Sequence, residues 1–194
     1  MRVTTIVIAE DEAIIRLDLR ELLEEEGYVV VGEAGRGDQA VELVRQLKPD
    51  LVMLDVKMPG MDGIEAARRI TTEGICAVLM LTAFSQREIV EQARDAGAVA
   101  YLVKPFQKTD LVPAIELAIA RYAETRALVS EVAELSERLE VRTLLDRAKG
   151  RLIDDHGMKE SEAFSFIQKS AMAKRTTMRA VADAILKGEI VPSA

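Results

Sequence analysis

The chain has 194 residues, 49% of them hydrophobic, which suits one large domain or two modest ones with real cores. Aromatics are only 4% and Trp is absent, so those cores must be built from Val, Ile, Leu, Ala and Met. The single cysteine, Cys76, excludes an internal disulfide, and no apolar run approaches the ~18 residues a bilayer span needs. A soluble cytoplasmic protein is the expectation. The net charge of −7 is uneven: residues 1–140 carry a balance of −10 and residues 141–194 a balance of +3. An acidic body with a mildly basic tail suggests two jobs, although an excess of this size does not by itself identify a nucleic-acid binder.

Short apolar runs alternate with amphipathic stretches from the start. "VTTIVIA" (3–9), "YVVVG" (28–32), "DLVML" (50–54), "AVLML" (77–81) and "AYLV" (100–103) read as five strands, nearly continuous in apolar residues and so buried on both faces. Helical patterns occupy 12–26, about 38–47, 63–72, 86–96 and a stretch from about 109 onward. Gly27, Pro49 and Gly97 stand where helices should stop, and Asp38 reads as an N-cap. Five βα units of this spacing imply a parallel sheet with helices on both faces. "GRGDQA" (35–40) matches a dinucleotide fingerprint, but it follows the second strand instead of opening the fold, and a turn plus cap accounts for it.

In such a sheet, ligands bind beyond the carboxyl ends of the strands. Those ends deliver Glu10 and Asp11 after the first strand, Asp55 after the third, Thr82 after the fourth and Lys104-Pro105 after the fifth. Three clustered carboxylates repel one another unless a hard cation sits among them, and Mg²⁺ takes carboxylates together with waters and phosphate oxygens. A carboxylate can also act as a nucleophile toward a phosphoryl group, with a lysine pairing the resulting charge. Any one of these residues could be an ordinary loop polar; five in register at one sheet edge are not.

The pieces "AEDE" (9–12), "MLDVKMPGMDG" (53–63), "LTAF" (81–84) and "YLVKPF" (101–106) make residues 1–122 resemble the receiver domain of bacterial two-component response regulators. The resemblance implies a five-stranded, doubly wound, flavodoxin-like α/β fold. It implies Asp55 as phosphoacceptor, supplied by a sensor histidine kinase. Glu10 and Asp11 would form the acidic pocket, with Mg²⁺ held by Asp11, Asp55 and the backbone carbonyl of Lys57. Lys104 would pair with the phosphoryl group, Thr82 would move toward it, and Tyr101 would swing inward behind it. A cis Lys104-Pro105 peptide is part of the same resemblance. Beyond self-phosphorylation and dephosphorylation at Asp55, no independent enzyme is expected.

The fifth helical pattern does not stop where a receiver alone should. From 111 to 140 there is no Gly, and the only proline, Pro113, is read in the first turn. Leu128, Val132, Leu135 and Leu139 follow at spacings of 4, 3 and 4, a short coiled-coil-like stripe that could join two copies on phosphorylation or pack on the chain's own tail. Residues 123–140 thus read as a connecting helix, and 141–194 as a small three-helix domain. Its first helix runs to His156-Gly157, its second from about Lys159 to Ala173, and its third from a Thr176 cap to about Lys187-Gly188.

Of the tail's cations, six are candidate contacts: Arg147, Lys149 and Arg151 around its first helix, and Lys174, Arg175 and Arg179 around the second-to-third junction. By charge alone they read as a solvated face. The third helix, Ala-rich with one Arg in its body, is a poor major-groove reader, whereas phosphate contact and shape recognition of folded RNA need fewer base-reading side chains. "RAKGRL" (147–152), "HGM" (156–158), "EAFSFIQKSAM" (162–172) and "KRTTMRAVADAIL" (174–186) resemble the ANTAR family of transcription antitermination regulators. That resemblance implies binding of RNA stem-loops in nascent transcripts, and Lys149, Gly150, Ala171 and Arg175 match the family's most recognisable positions; the six cations are the candidate contacts. Ser165 and Ser170 depart from its pattern, which has longer side chains there. A tail that binds a protein partner or DNA is the alternative.

Overall fold

The computed structural model describes residues 3–83 and 87–192. Phe84, part of the "LTAF" stretch, and residue 86, the expected start of the fourth helix, lie outside them. The chain divides into two compact units, residues 1–126 and 127–194.

The first unit alternates β1 (Thr5–Ala9), α1 (Ala13–Glu25), β2 (Val29–Ala34), α2 (Gly37–Leu47), β3 (Leu51–Asp55), α3 (Gly63–Glu73), β4 (Ala77–Thr82), α4 (Arg87–Asp95) and β5 (Ala100–Val103). The five strands are parallel in the order β2-β1-β3-β4-β5. Every residue of β3 and β4 is buried, as their unbroken apolar runs require, because both faces of a central parallel strand are covered. The edge strands differ. β2 and β5 are only partly buried, since each has one neighbour strand instead of two. One face of the sheet packs Val7, Val52 and Val78 against Val41 and Val44 of α2 and Ile70 of α3. The other packs Ile8, Met53 and Leu79 against Leu19 and Leu23 of α1 and against Leu111 and Ile115.

Those last two residues belong to α5 (Lys108–His156), an unbroken helix of 49 residues. Its length confirms that the fifth helix continues past the first unit. The helix begins at Lys108, so Pro113 lies in the second turn instead of the first, where the missing N–H leaves the Thr109 carbonyl without its intrahelical donor. Two expected caps also shift. Arg36 occupies the N-cap of α2, and Asp38 lies inside the first turn, where its carboxylate accepts from the Arg36 guanidinium at 2.8 Å.

In the second unit, the end of α5 is followed by α6 (Glu160–Ala173) and α7 (Met178–Lys187). Gly157, at φ 66°, terminates α5 directly after His156. Ala148 and Leu152 of α5, Ala163, Ile167 and Ala171 of α6, and Val181, Ala182 and Ile185 of α7 form a separate core. Half of these eight are alanines, which let the three helices approach closely. Thr177, not Thr176, caps α7, its hydroxyl accepting from the Ala180 N–H at 3.2 Å. No helix among the described residues is long and apolar enough to cross a membrane.

Candidate functional site

The strand order reverses at β1 and β3, whose neighbouring connections leave on opposite faces of the sheet and open a crevice between their carboxyl ends. Glu10 and Asp11 follow β1, and Asp55 ends β3. Carboxylate oxygens of all three lie within 4.8 Å of one another. Glu10 is fully buried and Asp55 nearly so, whereas Asp11 is exposed. One deep acid, one rim acid and one between them suit a hard cation that keeps part of its water, and magnesium fits that donor set.

Lys104, arriving after β5 and the cis Lys104-Pro105 bond, sends its ammonium to both buried carboxylates. Nζ donates to Oδ1 of Asp55 at 2.7 Å and to Oε2 of Glu10. The other Asp55 oxygen, Oδ2, accepts from the backbone N–H of Lys57 at 3.0 Å. Burial pushes the Glu10 carboxyl above its ordinary range. The Lys104 hydrogen bond opposes that shift, and the Asp55 charge adds to it. Burial acts to lower the Lys104 ammonium, but its hydrogen bonds to Asp55 and Glu10 prevail and raise it. The lysine is therefore charged, and two carboxylates share it.

Thr82, at the end of β4, is buried on the strand next to β3, where Asp55 pairs with Leu81. A cavity of about 570 Å³ opens over Asp55, Thr82 and Lys104, with Ile15, Leu22 and Phe106 on its apolar side. Tyr101, on β5, is half exposed, with its side chain out toward solvent. The structure thus brings together Glu10, Asp11, Asp55, Lys57, Thr82 and Lys104 and leaves Tyr101 outside the cluster.

Two glycines that support this site were not singled out from the sequence. A Cβ on Gly63 would lie 1.9 Å from the Asp55 carbonyl oxygen, and one on Gly37 would lie 2.5 Å from the Met61 carbonyl oxygen. Both let the loop after β3 fold tightly against the strand ends. For Gly63 the signal in the sequence was the Asp62-Gly63 pair opening α3, where Asp62 caps by accepting from the Glu65 N–H at 2.8 Å.

In the second unit the six candidate cations fall into two groups. Lys149 is held by Asp146 at 2.9 Å and Glu160 at 3.0 Å, and these hydrogen bonds raise its ammonium above the usual range. Arg151 reaches Asp155 and donates to the Leu186 carbonyl, while Arg179 lies 3.6 Å from both Glu137 and Glu140. Arg147, Lys174 and Arg175 are exposed and make no ion pair among the described residues. Arg175 also occupies the left-handed region at φ 52°, in the α6–α7 turn. Residues 163–182 contain no acid and four cations, Lys169, Lys174, Arg175 and Arg179, in a chain whose net charge is negative.

Residues 6–116 match the response regulator receiver domain family, and residues 133–186 match the ANTAR domain family. The transcriptional regulatory protein PdtaR of Mycobacterium tuberculosis is 60% identical over 182 residues, which cover 94% of this chain and 89% of that protein. The chemotaxis protein CheY of Thermotoga maritima is 38% identical over 111 residues, 57% of this chain and 92% of that one. Among solved structures, the signal receiver domain of the putative response regulator NarL from M. tuberculosis superposes with a TM-score of 0.60 at 31% identity, covering 62% of this chain and 98% of that one. With its acidic strand ends, its lysine and both of its units accounted for, the chain belongs to the response regulators and joins a receiver domain to an ANTAR domain.

Proposed function

We propose that the protein is a phosphorylation-switched regulator that binds structured RNA and promotes transcription antitermination, working in the cytoplasm. Residues 1–122 receive the signal, 123–140 connect, and 141–194 provide the output. The observation that supports the switch most is the convergence of Glu10, Asp11 and Asp55 around one lysine at the strand-order reversal.

A carboxylate oxygen of Asp55 attacks the phosphorus of a phosphohistidine on a sensor histidine kinase. The P–N bond breaks, a P–O bond forms, and the imidazole leaves to take a proton. Mg²⁺ held by Asp11, Asp55 and the Lys57 carbonyl, within the pocket closed by Glu10, would neutralise phosphoryl charge. Lys104, already 2.7 Å from Asp55, pairs with the added charge, and Glu10 keeps that lysine charged and in place. Phosphorylation replaces about one negative charge by about two and adds three acceptor oxygens. Thr82 donates to one of those oxygens, Tyr101 moves inward behind it, and the change passes along α5.

The output reading rests on the ANTAR match and on the acid-free, cationic stretch at 163–182. Arg147, Lys174 and Arg175 contact phosphates directly. Lys149, Arg151 and Arg179 must first exchange carboxylate partners for phosphate.

Incubation with acetyl phosphate tests the receiver. Phosphoprotein should form only with Mg²⁺, disappear in Asp55→Asn and fall sharply in Asp11→Ala. Equal phosphorylation of Asp55→Asn would reject Asp55 as the acceptor.

A further inference from the structure

The loop that carries the first two carboxylates of the pocket has few fixings of its own. Helix α1 opens without a side-chain cap, with Glu12 at the N-cap position and no acid in its first turn. Asp11, the rim acid of the cluster, is exposed, and no hydrogen bond among the described residues holds its carboxylate. A metal site binds well only when its ligands are oriented by the groups behind them, so something else must set the direction of Asp11.

Arg16, inside α1, supplies that hold. Its guanidinium reaches back, and Nη1 donates to the Glu10 carbonyl oxygen at 2.5 Å. That carbonyl shares a planar peptide group with the Asp11 N–H, so fixing it fixes the plane from which Asp11 departs. Glu10 is completely buried, and Arg16 is the only donor to its carbonyl among the described residues. On the other side, the Glu10 N–H donates to the Ala34 carbonyl of β2 at 3.0 Å. The same strand holds the arginine. Oε2 of Glu33 lies 3.4 Å from Nε of Arg16, while Oε1 of that carboxylate takes Arg20 at 2.8 Å. A planar fork engaged at two points cannot swing away without losing both contacts.

We propose that Arg16 is a positioning residue for the magnesium pocket, bracing the Glu10–Asp11 peptide from behind so that Asp11 is oriented before the ion arrives. The proposal rests on the reading of Glu10, Asp11 and Asp55 as a magnesium site and adds to it a residue outside the ligand set. Two effects of opposite sign bear on it. As a bare positive charge, Arg16 would repel Mg²⁺, and its removal would tighten binding. As a brace it favours binding, and its removal weakens it. Glu33 already offsets the charge, so the brace prevails. Loss of a group that orients a metal ligand typically weakens binding by about ten- to hundredfold.

Calorimetric titration of the full chain with Mg²⁺ tests this without any phosphoryl transfer. Arg16→Met keeps the aliphatic stem and removes the donor, and its Mg²⁺ Kd should rise about tenfold. Arg16→Lys, which restores a donor, should recover most of the affinity. Glu33→Gln, which weakens one hold on the guanidinium, should show a smaller rise. In acetyl phosphate labelling of Arg16→Met, the Mg²⁺ concentration giving half the maximal rate should rise by the same factor, with the rate at saturating Mg²⁺ little changed. Asp11→Ala, which deletes a ligand outright, is the reference. Binding as tight in Asp11→Ala as in the wild type would reject the magnesium site, and the proposal with it. Binding lost in Asp11→Ala yet unchanged or tighter in Arg16→Met would overturn the role of Arg16 alone. So would an Arg16→Lys protein that binds no better than Arg16→Met.

Discussion

Gly63 lies so close beneath Asp55 that a single methyl group on it would overlap the Asp55 carbonyl oxygen, 1.9 Å away. The oxygen belongs to backbone at the end of a central strand, so it cannot rotate aside as a flexible side chain would. Gly63→Ala should therefore displace the end of β3 and cost about 3 kcal/mol, the upper range for overpacking. Urea unfolding followed by circular dichroism reads the cost, and acetyl phosphate labelling reads the damage to the acceptor. A variant as stable and as readily phosphorylated as the wild type would refute the close approach.

Lys104 is the only counter-charge that hydrogen-bonds to the buried Glu10 and to Asp55 among the described residues. Removing it in Lys104→Ala leaves two neighbouring carboxylates, and breaking a buried pair in this way costs about 3 kcal/mol. The pH dependence has a definite sign. Glu10 is already raised in the folded state, and losing the Lys104 bond raises it further, so the folded variant takes up a proton more readily than the unfolded chain does. The destabilisation should shrink as pH falls from 7 toward the acid range. Urea midpoints at neutral and mildly acidic pH, compared with the wild type, check this.

Alkaline stability depends on two buried groups. Burial raises the Cys76 thiol from 9.0 to about 12, and burial with the Glu116 hydrogen bond raises the Tyr28 hydroxyl from 10.0 to about 12. A raised folded value means the contribution is complete below the unfolded value and is lost as pH rises through the folded one. Stability should fall between about pH 9 and 12. Tyr28→Phe loses the 2.9 Å bond to Glu116 at every pH but should show a shallower alkaline decline. A thiol reagent at pH 8 should modify Cys76 only after unfolding, since it is 1% exposed.

Arg175 separates folding from contact. Its backbone sits at φ 52°, where glycine is favoured, so Arg175→Gly should leave the fold intact or stabilise it by about 0.5–1 kcal/mol. The same variant should lose RNA affinity about tenfold, the usual worth of one phosphate-contacting cation at moderate salt. Lys149→Ala should instead weaken the α5–α6 contact made through Glu160. Thermal melts beside filter binding distinguish the two.

Much of the receiver was legible in the sequence because its signals are local. A parallel strand buried on both faces must be apolar throughout, and residues at strand ends must gather at one edge, so the sequence alone brings Glu10, Asp11, Asp55, Thr82 and Lys104 to that edge. What was not legible depends on neighbours distant in sequence. The exposure of β2 and β5 follows from strand order. Gly63's necessity follows from where the Asp55 carbonyl lands, and the ion pair between Lys149 and Glu160 follows from how α5 and α6 fold back. Thr176 and Thr177 are chemically equivalent caps, and only the turn geometry around Arg175 chooses between them.

The most direct test of the switch and its output is binding of the full chain to short hairpin RNAs and to duplex DNA of equal charge, at two salt concentrations. It is run with and without Mg²⁺ and beryllium fluoride as a phosphoryl mimic. The account predicts selective hairpin binding that strengthens with the mimic and weakens about tenfold in Arg175→Ala. Weak binding to both polymers alike, unchanged by the mimic, would contradict it.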